Sequence, residues 1–366
     1  MLTNNKIGGM LVCTNNKRGV PMAVLNQILR TIIGGTGRKP SLDDMLAVFD
    51  RELENFGTVV RPDSTSRPRT PFDSPHLTFE QMYMSRLTVR QILDFLPVMV
   101  PLRVRMGQSA RLYDGKFESK QTEAPQSFLS ALENMARRLG AADIRYVRVP
   151  RHAIFQHKGI PHDYAVVITV EMNRDKLTNA PSFDAFLEVA KGYSNLARIG
   201  NQLAGFMRRN GFAAYPGTAL GGLTDYTHLA EVAGLGAIGY HGLLISPDEG
   251  ARLRINTIYT NITNLPIQTE NEHRWVRDFC AMCKKCIRGC PVQAIYEHPR
   301  PRGDGGMQCI DHAACRDYFN QHYGCAVCLA KCPFSEMGYE KVKARFKGNP
   351  TAPQFRISVI AKAANS

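Results

Sequence analysis

The sequence lacks any segment that could act as an export signal or a membrane span. Its first 20 residues contain no basic segment followed by an apolar run, and the Arg-Arg pairs at 137–138 and 208–209 are internal. The longest apolar stretches, 20–33 and 92–102, are interrupted by polar residues or by prolines, so neither could cross a bilayer. The sequence therefore predicts a cytoplasmic protein with no membrane-spanning helix.

Cysteine is nearly absent outside one short stretch. Cys13 stands alone, and we interpret it as a small or incidental side chain. The other cysteines all fall between residues 280 and 332, about one seventh of the chain. A disulfide framework would spread its cysteines to join distant loops, so this crowding favours reduced thiols that bind metal.

Acidic residues are few relative to basic ones. The chain has 46 Lys and Arg against 32 Asp and Glu, a formal net charge of +14. A basic surface attracts acidic partners such as nucleic acid, an acidic ferredoxin or flavodoxin, or an anionic cofactor tail. The basic residues are scattered rather than grouped, so a solvated surface without a specific partner is an equally good interpretation. The length of 366 residues fits one large domain or two to three ordinary ones.

Two dense cysteine groups organise the chain. The first has the spacing CxxCxxCxxxCP, by which bacterial-type ferredoxins hold a 4Fe–4S cluster through thiolates. The second ends in CxxCxxxCP and has two upstream candidates for its missing member, Cys309 and Cys315. The first group consists of Cys280, Cys283, Cys286 and Cys290, and the second ends with Cys325, Cys328 and Cys332.

In paired runs of this kind, three thiolates of one run hold one cluster and the fourth reaches across to the other. Zinc is the competing metal, but a four-cysteine zinc site needs no third and fourth cysteine in the same run. We favour Cys315 over Cys309 because nine residues, including an aromatic pair, separate it from Cys325. The predicted ligands are Cys280, Cys283, Cys286 and Cys332 for cluster 1, and Cys290, Cys315, Cys325 and Cys328 for cluster 2.

An electron carrier with two clusters would not need the roughly 270 residues that precede the cysteines. We therefore expect a redox centre or a substrate to bind upstream. Apolar periodicity there predicts helices over 79–104 (broken at Pro97), 127–139, 183–210 and 226–233, and strands over 144–149, 164–171 and 252–262.

A glycine-rich segment lies just before the cysteines. Four of its glycines stand among small residues, where a backbone can approach a flat ligand or a phosphate closely. The first three form GxGxxG, but this motif is weak because a predicted helix, rather than a strand, leads into it. We predict that all four bind a cofactor: Gly234, Gly236, Gly239 and Gly242.

Three segments together resemble the corrinoid-dependent reductive dehalogenases and, more distantly, the epoxyqueuosine reductases. They are AEVAGLGAIGYHGLLISPDEGARLR at 230–254, CxxCxxCxxxCP from Cys280, and CRDYFNQHYGCAVCLAKCPF from Cys315. The resembling region runs from about 164 to 335. The short spacing from Cys315 to Cys325 resembles the dehalogenase pattern, whereas epoxyqueuosine reductases have more residues there.

The resemblance implies an α/β (α+β) fold, in which a nitroreductase-like core holds base-off cobalamin or a related corrinoid against a ferredoxin-like module with two 4Fe–4S clusters. It also implies a tyrosine proton donor and a neighbouring cation over the cobalt, which match Tyr193 and Arg254. On spacing alone these would be a core tyrosine and a strand-edge arginine. The expected regions are 1–125 (accessory), 126–270 (corrinoid-binding core), 271–340 (two-cluster module) and 341–366 (tail).

The chain also departs from the dehalogenase pattern. It has Tyr240 and His241 where the family often shows Gly-Arg-x-Gly, and Phe334 where the family has tryptophan. We see neither a twin-arginine signal nor a fused flavin reductase, as some members have, in this sequence and therefore expect a member without them. The sequence also has no DxHxxG motif, the common site of a histidine that binds cobalt from below.

The predicted function is a cobalamin-dependent iron–sulfur reductase that cleaves a bond, expected to be carbon–halogen, in a small-molecule substrate. Electrons would come from an external low-potential donor, such as a ferredoxin, flavodoxin or flavin reductase. The alternatives are a tRNA-modifying reductase like epoxyqueuosine reductase, which alone among these functions implies nucleic acid, and a non-catalytic iron–sulfur electron-transfer subunit.

Overall fold

The computed structural model describes residues 46–51, 53, 56–57, 59–69, 83–303 and 306–347. The expectations for Cys13, for much of the accessory region and for the end of the tail lie outside the described residues. Across the described ranges, none of the helices combines the length and hydropathy of a membrane span.

A four-stranded antiparallel sheet lies at the centre of the upstream part. Its strands are β1 (Ile144–Arg148), β2 (Tyr164–Glu171), β3 (Ala214–Pro216) and β6 (Leu253–Thr260). They are arranged in the order β1-β2-β6-β3. Strands β2 and β6 pair along their whole length, from Tyr164 opposite Thr260 to Glu171 opposite Leu253. Three of these strands confirm the predictions at 144–149, 164–171 and 252–262.

Helices cover both faces of this sheet, so β2 is apolar on both sides. The helices are α1 (Val89–Arg111), α2 (Gln126–Arg138), α3 (Arg174–Thr178), α4 (Phe183–Arg209) and α5 (Tyr226–Val232). Val166, Ile168 and Val170 join the core formed with α1, α2 and α4, whereas Ala165 and Val167 join the core that contains α5. This alternation follows from the two-residue period of a strand.

The long helix α4 has clear start and stop signals. The Ser182 side chain accepts a hydrogen bond from the Ala185 amide at 3.2 Å, which caps the first turn. Gly211 follows the end of the helix with φ of +85°, a conformation that glycine adopts without strain. The helix predicted over 183–210 is therefore confirmed.

The prediction that a helix breaks at Pro97 is wrong. Helix α1 runs without interruption through Pro97 and Pro101. A capping box between Thr88 and Gln91 starts it. Its buried side chains, among them Phe95, recur every three or four residues, so packing compensates for the hydrogen bonds that the prolines remove.

The glycine-rich segment forms a hairpin that joins the sheet to the cysteine region. Its strands are β4 (Ala237–Ile238) and β5 (Leu244–Ile245). Ala237 and Ile245 pack in a third core with Cys280 and Phe334 from the cysteine region. That region contains α6 (Trp275–Cys283), α7 (Lys285–Gly289), β7 (Ile295–Pro301), β8 (Met307–Ile310), α8 (His312–Gln321), α9 (Val327–Ala330), α10 (Pro333–Glu336) and α11 (Tyr339–Lys347).

Candidate redox site

Four of the predicted ligands converge on one small cavity. Cys280 lies in the last turn of α6, Cys286 in α7, and Cys332 just before α10. Lys284 has φ of 49°, in the left-handed region, which turns the chain between α6 and α7. The cavity is lined by Cys280, Cys283, Cys286 and Cys332, together with His241, Phe279, Lys284, Pro333 and Phe334.

The chemistry of these four thiols fits an iron–sulfur cluster. Burial raises the pKa of the Cys280 thiol well above its usual value, and the nearby thiols of Cys332, Cys286 and Cys283 raise it further. Burial likewise raises the pKa of Cys286 to about 11 and that of Cys332 to about 12. Thiolates grouped in an apolar cavity need a compensating positive charge, which the iron ions of a cluster would supply.

The second predicted set is also brought together. Burial raises the pKa of Cys315 to about 11, and the neighbouring thiols of Cys325 and Cys290 raise it further. Cys328 has a pKa raised by burial and then by Cys325, Cys286, Cys315 and Cys290. The coupling between Cys328 and Cys286 shows that the two sets are neighbours. The crossed pairing of the runs is therefore the arrangement that this geometry favours.

Cys309 has a different environment. It is buried on β8, and its Sγ donates to the Gly239 oxygen at 3.7 Å. Burial raises its pKa to about 11, against the influence of the nearby Arg277 and Arg302. Its thiol thus lies beside the hairpin and two arginines and also acts on Cys286. Cys315 as the fourth ligand of cluster 2 stays a prediction.

A single metal ion needs its ligands close together around one point. In the part of the chain that the structure describes, no three His, Cys, Asp or Glu side chains stand close enough to hold one metal ion. A cubane instead places each thiolate on a separate iron at its corners.

Helix α4 and strand β6 bring Tyr193 and Arg254 side by side. The guanidinium carbon of Arg254 lies 5.1 Å from the centre of the Tyr193 ring. Gly192 makes room for this stacking, since a Cβ there would lie 3.2 Å from Cγ of Arg254. Tyr193 is half-buried, and Nε of Arg254 is buried without a hydrogen-bond partner among the described residues. The pair therefore offers a phenol, a cation and an unpartnered N–H donor at one place.

The four predicted cofactor-binding glycines lie against protein atoms. A Cβ on Gly236 would clash with the backbone oxygen of Ile245. A Cβ on Gly239 would lie 2.6 Å from Cδ1 of Ile245 and 3.5 Å from Sγ of Cys280. Packing of the hairpin thus already requires glycine at these positions, and cofactor binding by them stays a prediction. Gly234 and Gly242 have φ of +75° and +77°, which also favours glycine.

His241, which in the sequence is only a departure from the family pattern, lines the cavity of the first thiol set. It is 4% exposed, and burial lowers its pKa to about 4. Its Nδ1 accepts a hydrogen bond from the Leu243 amide at 3.2 Å, whereas its Nε2 is buried without a partner among the described residues. The only sequence signal that could have pointed to His241 as a site residue is its position as a lone histidine between two glycines of an apolar hairpin.

The chain was compared with known proteins in both sequence and fold. No protein-family model matches the chain. The tetrachloroethene reductive dehalogenase of Dehalobacter restrictus is 30% identical over 209 residues, which are 52% of this chain and 37% of that protein. A solved structure described as "Reductive dehalogenase structure suggests a mechanism for B12-dependent dehalogenation" superposes with a TM-score of 0.56 at 21% identity. The resemblance to reductive dehalogenases is confirmed.

The reductive dehalogenase fold is shared over 75% of this chain and 42% of the solved structure. The chain thus spans less than half the length of these relatives. The epoxyqueuosine reductase of a Synechocystis strain is 32% identical over a shorter stretch of 119 residues, 29% of this chain and 38% of that protein. The mixed helix-and-sheet architecture is accordingly that of the dehalogenases, with epoxyqueuosine reductases as more distant relatives.

Proposed function

We propose that this chain is a corrinoid-dependent iron–sulfur oxidoreductase that reductively cleaves a carbon–halogen bond. The observation that carries the proposal is the stacking of Arg254 on Tyr193, 5.1 Å apart, in a protein that also gathers its thiols into two sets. An electron-transfer subunit has no use for a proton donor paired with a cation. The B12-dependent dehalogenation ascribed to the structural relative supports the same chemistry.

Under this proposal, one part of the chain binds the corrinoid and another holds the clusters. The sheet with its covering helices, within 126–270, would be the nitroreductase-like core that binds the corrinoid. Residues 271–340 would be a ferredoxin-like module in which the two thiol sets hold 4Fe–4S clusters. The β4–β5 hairpin, with its four glycines, packs between these parts. When bound, the clusters would deliver electrons from a low-potential donor, and the corrinoid cobalt would supply the reducing chemistry.

Tyr193 would supply the proton that the reaction consumes, and Arg254 would stabilise the negative charge that develops. Reductive cleavage of a carbon–halogen bond consumes two electrons and one proton, forms a C–H bond and releases halide. The Tyr193 hydroxyl would donate the proton. The guanidinium of Arg254 would stabilise the phenolate that remains and the negative charge that develops on the leaving halogen. Partial burial of the pair strengthens both interactions.

A two-step experiment tests the proposal. Protein prepared without oxygen is expected to contain about eight irons and to bind added cobalamin, as seen by absorption and EPR. With reduced methyl viologen as donor, it is then expected to release halide from tetrachloroethene or from halogenated phenols. Replacing Tyr193→Phe should reduce halide release by at least about 100-fold and leave iron content and the cobalamin signal unchanged.

Tyr164→Phe is the matched control, because Tyr164 is a half-buried tyrosine at the end of β2. Equal rates for Tyr193→Phe and Tyr164→Phe would refute the role of Tyr193. Stoichiometric zinc in place of iron would overturn the cluster assignment. Clusters without cobalamin binding would favour an electron-transfer subunit.

The net charge of +14 favours a second candidate, a tRNA-modifying reductase like epoxyqueuosine reductase. This candidate predicts that the protein binds tRNA with an affinity that falls steeply as salt increases. A filter-binding titration at two salt concentrations separates the two functions, since a dehalogenase needs no such binding.

A further inference from the structure

The turn of the β4–β5 hairpin lies directly beside the first thiol set. The Gly242 amide donates to the Gly239 oxygen at 2.9 Å, which closes a four-residue turn with His241 at its third position. The point at which a Cβ on Gly239 would lie is 3.5 Å from Sγ of Cys280 and 3.3 Å from Cε1 of His241. The imidazole and a predicted cluster ligand therefore flank the same glycine.

Hydrogen bonding identifies the tautomer of this histidine. Because Nδ1 accepts the Leu243 amide, it carries no proton, and the neutral ring must carry its proton on Nε2. Nε2 is thus an N–H donor, buried and unpartnered among the described residues. Buried N–H groups are rarely left without an acceptor, so an unpaired one points to an interaction with something bound nearby.

The residues that line the cavity limit which atom could accept a hydrogen bond from Nε2–H of His241. Apart from the four thiols and His241, the lining consists of Phe279, Lys284, Pro333 and Phe334. Lys284 is a donor and already pairs with Glu297 at 2.6 Å. The acceptor that chemistry allows here is therefore sulfur, either a thiolate or the sulfide of a cluster.

We propose that the Nε2–H of His241 donates a hydrogen bond to a sulfur of cluster 1 and thereby raises the reduction potential of that cluster. The inference rests on the proposed function in one respect, namely that the first thiol set holds a 4Fe–4S cluster. Reduction adds negative charge to the cluster sulfurs, so a donor aimed at them stabilises the reduced form more than the oxidised form.

Potentiometric titration of the reconstituted holoprotein, followed by EPR without substrate, tests the inference. His241→Leu removes the donor, and we expect the potential of one cluster to fall while the other stays unchanged. The expected effect is on the order of tenfold in the reduction equilibrium, which is 59 mV for a one-electron couple. His241→Gln, which restores an N–H donor, is expected to recover part of the shift, and the exposed His298→Leu should leave both potentials unchanged.

Unchanged potentials in His241→Leu would overturn the inference, as would an equal shift of both clusters, which indicates a general structural effect. If His241→Leu fails to assemble clusters, pulsed EPR of the wild-type protein with ¹⁵N-labelled histidine tests the hydrogen bond instead. A ¹⁵N coupling to the reduced cluster in pulsed EPR that disappears in His241→Gln supports the hydrogen bond, and absence of the coupling refutes it. Wild-type protein without iron would instead refute the proposed function, and the inference with it.

Discussion

Four of the described cysteines are buried to an extent that ordinary thiols tolerate only when protonated, namely Cys280, Cys286, Cys309 and Cys332. Burial raises the pKa of Cys332 to about 12 and that of Cys315 to about 11. Ligands must be thiolates, so metal binding must offset the cost of placing their charge in an apolar setting. Each ligand therefore depends on the complete set, and loss of one thiol weakens the others.

Because each ligand depends on the complete set, iron content can show whether Cys315 or Cys309 is a cluster ligand. We expect Cys315→Ser to reduce the iron content from about eight to about four per chain, because Cys315 groups with Cys290 and Cys325. Cys309→Ser should retain all the iron, since its thiol faces the Gly239 oxygen. Iron and sulfide analysis of both variants measures the outcome. Loss of iron in Cys309→Ser with full iron in Cys315→Ser would reverse the assignment.

The β4–β5 hairpin packs against both the sheet and the first thiol set. Ala237 and Ile245 of its strands belong to the third core together with Cys280, whereas Leu244 joins the core that contains α5 and the sheet residue Val167. Close approach of β4 to β5 leaves no space for a side chain at Gly236, whose Cβ would clash with the Ile245 backbone oxygen. Small residues in this hairpin are thus explained by packing within the protein.

Gly236→Ala should therefore destabilise the protein by about 1–3 kcal/mol, the range for overpacking. Gly107→Ala is the matched control, because Gly107 lies within α1 and a Cβ there would meet nothing within 4 Å. This control should stabilise the protein by about 0.5–1 kcal/mol, since alanine favours a helix interior over glycine. Anaerobic denaturant unfolding followed by circular dichroism gives both values, and a neutral effect of Gly236→Ala would contradict the packing explanation.

At the scale of the whole molecule, half-buried histidines make stability depend on pH. Burial lowers the pKa of His162 to about 4 and that of His312 to about 4. An unfolded histidine titrates near pH 6.5. Between about pH 6.5 and 4 the unfolded chain thus binds more protons than the folded one, so stability falls as the pH falls through this window.

His162 allows this effect to be measured away from the thiol sets, because its ring packs near Tyr215, which belongs to the core that contains α5. We expect the free energy of unfolding of the wild type to decrease from pH 7 to pH 5, and His162→Gln to show a shallower decrease. The exposed His298→Gln should follow the wild-type curve. Parallel curves for wild type and His162→Gln would show that burial of His162 makes no contribution.

Local patterns accounted for much of the fold. The strand at 164–171 and the helix at 183–210 were predictable because their apolar residues recur with the period of the element, and Gly211 marks the helix end. The continuity of helix α1 through Pro97 was not predictable, since it depends on packing against α4. The sequence likewise could not show that the glycines of the hairpin meet Ile245 and Cys280, because those contacts join separate segments.

The sequence by itself determined that the cysteines lie in two dense runs. Spacings of two or three residues confine neighbouring cysteines to one loop, whatever the rest of the chain does. Only the tertiary structure decided which thiols meet, that Arg254 stacks on Tyr193, and that His241 lines the cavity of the first thiol set with its Nε2 unpartnered among the described residues. These are contacts between segments far apart along the chain, and they exist only once the sheet, the long helix and the hairpin have packed together.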